Sequence, residues 1–208
     1  YIYDSLNRLS RIIHPAGNCE EYTYNSEGFL EGIYKKTSAS VPNNPSSPDV
    51  IATLYTYCSS SNPALYSKVE TITDALGNVT EYEYFTDTGY LKKVTGPEIT
   101  TPSGPRQASV EYTYTAAGMV DTITDPNGIV TKYVYYQTLD YNNGLLWKVI
   151  QDYGVGQQYL NLTTTYTYDE LRRVLTVTNP KNAVTTYAYN AFNQVTQITS
   201  PSPFNYVT

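Results

Sequence analysis

One short pattern governs what this chain can fold into. Tyr-x-Tyr occurs eight times, at Tyr1/Tyr3, Tyr22/Tyr24, Tyr55/Tyr57, Tyr82/Tyr84, Tyr112/Tyr114, Tyr133/Tyr135, Tyr166/Tyr168 and Tyr187/Tyr189. The second tyrosines lie 21, 33, 27, 30, 21, 33 and 21 residues apart, so a basic unit of 21 recurs with additions of 6, 9 or 12. Periods of this length mark repeat architectures, in which each unit buries little by itself and leans on its neighbours. The units run approximately 1–24, 25–57, 58–84, 85–114, 115–135, 136–168, 169–189 and 190–208, and residues 1–208 read as a single repeat segment.

Each unit reads as two strands. After Tyr-x-Tyr comes a polar turn such as Asp4-Ser5-Leu6-Asn7 or Asn190-Ala191-Phe192-Asn193. A first strand follows, for example Arg173 to Thr178, and then a second turn such as His14-Pro15-Ala16-Gly17 or Asp125-Pro126-Asn127-Gly128. Pro presets φ early in such turns, and Gly or Asn tolerates positive φ late in them. The next Tyr-x-Tyr strand closes the unit. Alternation along it puts Thr131/Tyr133/Tyr135 or Thr185/Tyr187/Tyr189 on one aromatic face and Lys132/Val134 or Thr186/Ala188 on a mostly wet one. With units in register, the tyrosines form rows across the sheet: Tyr22, Tyr24, Tyr55, Tyr57, Tyr82, Tyr84, Tyr112, Tyr114, Tyr133, Tyr135, Tyr166, Tyr168, Tyr187 and Tyr189.

The first strand carries its apolar residues three apart, as in Leu9/Ile12, Leu30/Ile33, Val120/Ile123 and Val174/Val177. Simple alternation would place each pair on opposite faces, so a bulge or strong local twist is expected there.

The fold class follows: all-β, an antiparallel hairpin array of roughly sixteen short strands. The 24 Tyr, 29 Thr, 16 Val and 11 Ile all suit a pleated surface. No segment has sustained helical periodicity, so no helix is expected to cover the apolar face. Strongly twisted open sheets rarely exceed about ten strands without curling or splitting, and a spiral or partial hollow shell is expected. Extra residues fall between strands at Thr37–Asp49, Cys58–Ala64, Gly96–Gln107, Tyr136–Asn142 and Asp152–Leu162, as rim loops. Tyr136–Tyr141 and Tyr153–Tyr159 carry aromatics and are the better candidates for contact with something. Both termini look abrupt and uncapped, which suggests a piece of a longer array.

Chemistry is sparse. The net charge is -6 and Lys and Arg never run longer than two, which excludes an electrostatic footprint for nucleic acid. No apolar stretch reaches the roughly 18 residues of a spanning helix, and no membrane insertion is expected. His14, the one histidine, occupies a turn slot filled elsewhere by Asp74, Asp125 and Asn179. The carboxylates Glu20/Glu21 and Glu81/Glu83 recur on strands, the latter pair on the wet face. Cys19 and Cys58 are offset by six positions relative to the tyrosines, about 20 Å along neighbouring strands, so two free thiols are expected. Asn78-Val79-Thr80 and Asn161-Leu162-Thr163 fit the glycosylation sequon, which a Thr-rich chain produces by accident. No catalytic, cofactor-binding or metal-ligating residue is assigned, and no cofactor is implied.

The residues resemble the Rhs, or YD-repeat, family. Tyr3-Asp4-Ser5-Leu6-Asn7-Arg8-Leu9 and Tyr168-Asp169-Glu170-Leu171-Arg172-Arg173-Val174 are similar to its opening motif. Thr124-Asp125-Pro126-Asn127-Gly128-Ile129-Val130-Thr131-Lys132-Tyr133-Val134-Tyr135 is similar to its closing one. Only Asp4 and Asp169 supply the Asp after Tyr-x-Tyr, and the family's Gly-Arg pair never occurs intact. The resemblance implies a β-shell of the kind found in bacterial polymorphic toxins, insecticidal toxin complexes and teneurins. It implies a non-enzymatic structural segment that encloses or displays another part of a larger secreted or cell-surface protein, bacterial in origin. The alternative is an extracellular adhesion or fibre module that binds partner chains or glycans through open edges, tyrosine rows or rim loops. Expected partners are other segments of the same protein or identical chains at the sheet edges, with glycan a further possibility.

Overall fold

The computed structural model describes residues 1–58 and 61–201. The loop at 58–64 and the final unit at 190–208 therefore lie partly outside the described residues. Sixteen strands form one antiparallel sheet whose spatial order is the sequence order, and the sheet does not close into a barrel. Those carrying the tyrosine pairs are β1 (Ile2–Tyr3), β3 (Cys19–Tyr24), β5 (Val50–Tyr57), β7 (Val79–Tyr84), β9 (Gly104–Tyr114), β11 (Val130–Tyr135), β13 (Leu162–Tyr168) and β15 (Val184–Tyr189). Every one ends on its second tyrosine. Between them run β2 (Leu9–Ile13), β4 (Leu30–Lys36), β6 (Val69–Thr73), β8 (Leu91–Thr101), β10 (Val120–Thr124), β12 (Leu146–Gln151), β14 (Val174–Thr178) and β16 (Val195–Thr199). The described residues contain no helix. The chain divides into two compact units, Tyr1–Val110 and Glu111–Thr208.

Every second tyrosine sits at a register shift. In the first unit Tyr22 pairs with Ile33 and Thr23 with Gly32, but Tyr24 pairs with Leu30, leaving Glu31 over. In the second, Tyr166 pairs with Val177 and Tyr168 with Val174, leaving Leu175 over. The other extra residues are Ser10, Glu70, Lys92, Asp121, Trp147 and Thr196. The expected bulge thus occurs in all eight even-numbered strands. It explains the three-residue interval, because one extra residue brings Leu30 and Ile33 to the same face as Tyr24 and Tyr22.

The turns are built alike. Asp4 accepts the N–H groups of Leu6 and Arg8 on Oδ1, and its backbone closes the loop through Asn7 and Arg8. Asn25, Asp74, Asp125, Asp169, Asn179 and Asn190 each accept from the second and fourth residues after them in the same way. This is the reason short Asx residues open the turns: the side chain replaces a missing backbone partner. The fourth residue must take positive φ, which Gly128 does at 82° and Arg172 does at 64°.

Two expectations need correction. The stretch Gly96–Gln107 is not a loop, because β8 and β9 lengthen together to 11 residues each and turn only at 102–103. Paired strands can grow without loss of register when both grow equally. The face opposite the tyrosines is also not wet throughout. In β3–β5 it holds the most buried residues described: Cys19, Val50 and Ala52, with Glu21 and Lys36. The insertion Thr37–Asp49 folds back over this patch, so it acts as a lid and not only as a rim loop: the Val41 carbonyl and the Asn43 side-chain oxygen both accept from Lys36 Nζ, at 2.7 and 2.9 Å.

Candidate functional site

The tyrosine face is the repeated feature of the molecule, and its hydroxyls explain its regularity. Tyr24 donates to the Leu9 carbonyl at 2.8 Å, Tyr57 to Leu30 at 2.6 Å and Tyr84 to Val69 at 2.8 Å. In the second unit Tyr135 donates to Val120, Tyr168 to Leu146 and Tyr189 to Val174, at 2.8, 2.8 and 2.7 Å. Each acceptor belongs to the bulge that faces the previous unit's second tyrosine. A bulge leaves a ladder carbonyl without its strand partner, and the next tyrosine supplies the donor. Burial pushes the Tyr57, Tyr84, Tyr135 and Tyr168 phenols above their ordinary value, so they remain donors. The sequence held a signal for this ladder in its preference for 24 Tyr over 4 Phe.

The first tyrosines pack differently. Tyr55 faces Ile72, Tyr133 faces Val149 and Tyr187 faces Ile198. Across the next strand the same aliphatic residue meets a threonine, as in Val149 with Thr164 and Val177 with Thr185. The strip therefore alternates ring, aliphatic and threonine. On the opposite face the residues between the tyrosines bond across the strands, Thr56 with Thr71, Thr113 with Thr122 and Thr167 with Thr176.

The two Tyr-Asp motifs form clamps. Arg173 Nε and NH2 both reach Asp169 Oδ2, at 2.7 and 2.6 Å, while the guanidinium lies 4.5 Å from the centre of the Tyr189 ring. Its NH1 continues to the Asn190 carbonyl and Asn193 Oδ1 in the next turn. Arg8 repeats the arrangement with Asp4 and the Tyr24 ring at 4.2 Å. Planar guanidinium geometry suits a carboxylate and a ring face together.

The other sequence candidates are dispersed. His14 begins its turn, with its carbonyl accepting from Gly17 and its Nε2 3.8 Å from Glu20. Glu20 also accepts from the Tyr22 hydroxyl. Glu21 contacts Arg11 and, at 2.8 Å, Lys36. Burial pushes its carboxyl up, but the hydrogen bonds from Lys36 and Arg11 outweigh that and hold it below the ordinary value. Glu81 and Glu83 are exposed, and Glu83 lies 3.5 Å from Lys92. Cys19 and Cys58 are both free thiols, the first fully buried. Among the described residues no group of three or more His, Cys, Asp or Glu could hold a metal ion.

Sequence reasoning did not find a cleft of about 970 Å³ in the second unit, although it singled out the stretch beginning at Tyr136 that lines it. Tyr136 and Trp147 form its aromatic side, with ring centres 5.7 Å apart, and Asp121 and Lys132 form an ion pair of 2.6 Å on another.

Residues 173–202 match the family model described as RHS Repeat. No curated protein matches the chain. Among solved structures it is similar to TcdB2-TccC3-Cdc42, at 18% identity over 93% of this chain and 10% of that one, with a TM-score of 0.68. The values are the same for TcdB2-TccC3 without its hypervariable C-terminal region. The Photorhabdus luminescens Tc holotoxin pore with a mutated TccC3 gives 17% identity, 97% and 12% coverage and a TM-score of 0.54. The chain thus spans about a tenth of the length of the chains it matches. The likeness shows a common fold, and the resemblance to Rhs repeats drawn from the motifs stands.

Proposed function

We propose that this chain is a non-catalytic wall segment of a larger secreted bacterial protein of the toxin type, and that the wall encloses or displays another part of that protein. The observation that carries the reading is the hydroxyl ladder, in which six of the second tyrosines bond to the bulge where their own unit pairs with the preceding one. Bonding of this kind braces the junctions between repeats and supports a continuous sheet whose order does not depend on a deep core. Few residues are fully buried, as suits a thin partition better than an enzyme scaffold. The carboxylates Glu20 and Glu21 are engaged with Tyr22, Lys36 and Arg11, which leaves them poorly placed for acid–base chemistry. Fold likeness to parts of toxin complexes supports the same reading by analogy. The partners it implies are other segments of the same protein. Electron microscopy of the intact protein tests it: a hollow particle with these strands in its wall is expected, and a filament or a separate module would overturn it.

A second reading, an adhesion module that binds partner chains, draws on the turn tips. Leu139, Leu171 and Phe192 stand exposed at three successive turns on one rim of the second unit, and Leu6 does so in the first. Apolar tips of this kind suit contact with another chain. Concentration-dependent association of the chain, abolished by Leu171→Ser with Phe192→Ser, would favour it.

A further inference from the structure

We propose that the cleft between the β9–β10 turn and the β11–β12 loop is a binding site for a neutral oligosaccharide. The site goes beyond the wall reading: Tyr133 and Tyr135 of the repeat also line it, but its two distinguishing rings are departures from the repeat. At the bulged position the other seven units carry Ser10, Glu31, Glu70, Lys92, Asp121, Leu175 and Thr196, whereas this unit carries Trp147. Immediately after Tyr-x-Tyr the others carry Asp4, Asn25, Cys58, Phe85, Thr115, Asp169 and Asn190, whereas this unit carries Tyr136. The two departures fall in one unit, and their rings meet. Seven units form the same bulge without either residue, so the bulge does not call for the pair.

The aromatic side is held in place. The Tyr136 hydroxyl donates to the Tyr166 carbonyl at 2.9 Å, and its backbone bonds to Leu145 and Gly144. Around it the cleft offers the side-chain amides of Gln137 and Asn143, neither of which bonds to protein among the described residues. The Asp121–Lys132 pair lines another part. Rings beside free amides and a carboxylate match the chemistry of a sugar, which presents C–H faces and equatorial hydroxyls together. Lys132, the cation lining the cleft, is neutralised by Asp121, Lys148 Nζ is held over the Trp147 ring at 3.8 Å, and the chain as a whole carries -6. That balance disfavours a phosphate or nucleotide. A volume of about 970 Å³ is in the range of ligand sites and leaves room for more than one ring.

Trp147 is the only tryptophan in the chain, so its emission reports on this cleft alone. The chain is titrated with cellotriose, maltotriose, chitotriose and lactose, with ATP and inorganic phosphate alongside. A saturable change with at least one saccharide and none with the anions is expected. In the double variant Gln137→Ala, Asn143→Ala, with its circular dichroism unchanged, affinity should fall about tenfold, the size of a lost pair of polar contacts. Silence of Trp147 toward the whole panel overturns the proposal. A response to ATP or phosphate in place of sugar, or one that persists undiminished in the double variant, overturns it equally.

Discussion

Tyr135 donates its hydroxyl to the carbonyl of Val120, 15 residues earlier, at 2.8 Å. Val120 is itself the bulge residue that faces Tyr114, the second tyrosine of the preceding unit. The two residues belong to one unit, whose second tyrosine satisfies the carbonyl left by the bulge that its first strand makes against the preceding unit. Removing the oxygen separates this role from packing. Tyr135→Phe should cost about 1 kcal/mol, since it leaves a half-buried carbonyl unpaired. Tyr133→Phe, whose hydroxyl has no protein partner among the described residues, should cost less than about 0.5 kcal/mol. Urea unfolding of both variants checks this; equal costs would show that the ring alone matters.

Arg172 occupies positive φ, 64°, in the turn opened by Asp169. At the corresponding position of other turns stand Gly17, Gly28, Gly118 and Gly128. Arg172→Gly should raise stability by about 0.5–1 kcal/mol by relieving that conformation. Gly89→Ala should act in the opposite sense, because φ is +67° and an added Cβ would run into the Ala64 carbonyl; a loss above about 2 kcal/mol is expected. Thermal unfolding distinguishes the two, and a destabilised Arg172→Gly would contradict the account of the turns.

Glu21 titrates below its ordinary value because Lys36 and Arg11 outweigh the effect of burial. A depressed acid contributes stability that is present above its unfolded pKa and is lost as pH falls through the folded one. The turn aspartates Asp4, Asp74 and Asp169, held down by hydrogen bonds from the residues they cap, add to the same trend. The unfolding midpoint should therefore drop as pH falls below the ordinary carboxylate range. Glu21→Gln should cost about 3 kcal/mol at neutral pH by leaving the Lys36 ammonium buried without its counter-charge, and it should flatten the acid limb. A pH series of denaturation curves in which wild type and variant run parallel would rule this out.

The two thiols should behave differently. Cys19 is 1% exposed beneath the Thr37–Asp49 lid, whereas Cys58 is half-buried, with its thiol pushed up first by burial and then by Glu70. In the native chain Cys58 should alkylate slowly at neutral pH and faster as pH rises, because the thiolate is the reactive form. Cys19 should label only after unfolding. Mass spectrometry after iodoacetamide treatment reads both sites, and early labelling of Cys19 would mean that the lid does not close.

Much of this was open to inspection along the chain. Tyr-x-Tyr spacing predicts where the odd strands end, and Asx or Gly at fixed offsets predicts the turns. Leu30/Ile33 and its counterparts predict a bulge or a strong local twist, and the strand register shows a bulge. The extended β8–β9 arms read as a loop in the sequence, since Gly96, Pro97, Pro102, Ser103, Gly104 and Pro105 look like turn residues one by one. The residues Glu98, Ile99, Thr100 and Thr101 between them nonetheless pair as strand.

Strand, turn and bulge were set by sequence alone because each depends on neighbours a few residues away, whose side chains announce their conformational preferences. The acceptance of tyrosine hydroxyls by the Leu9, Leu30 and Val120 carbonyls, the burial of Cys19 and Lys36 under a polar insertion, and the meeting of Tyr136 with Trp147 were decided only by the tertiary structure. A carbonyl that accepts from 15 residues away carries no side-chain mark of that role. The course of a loop over a sheet face likewise depends on which charges and apolar surfaces the strands bring beneath it.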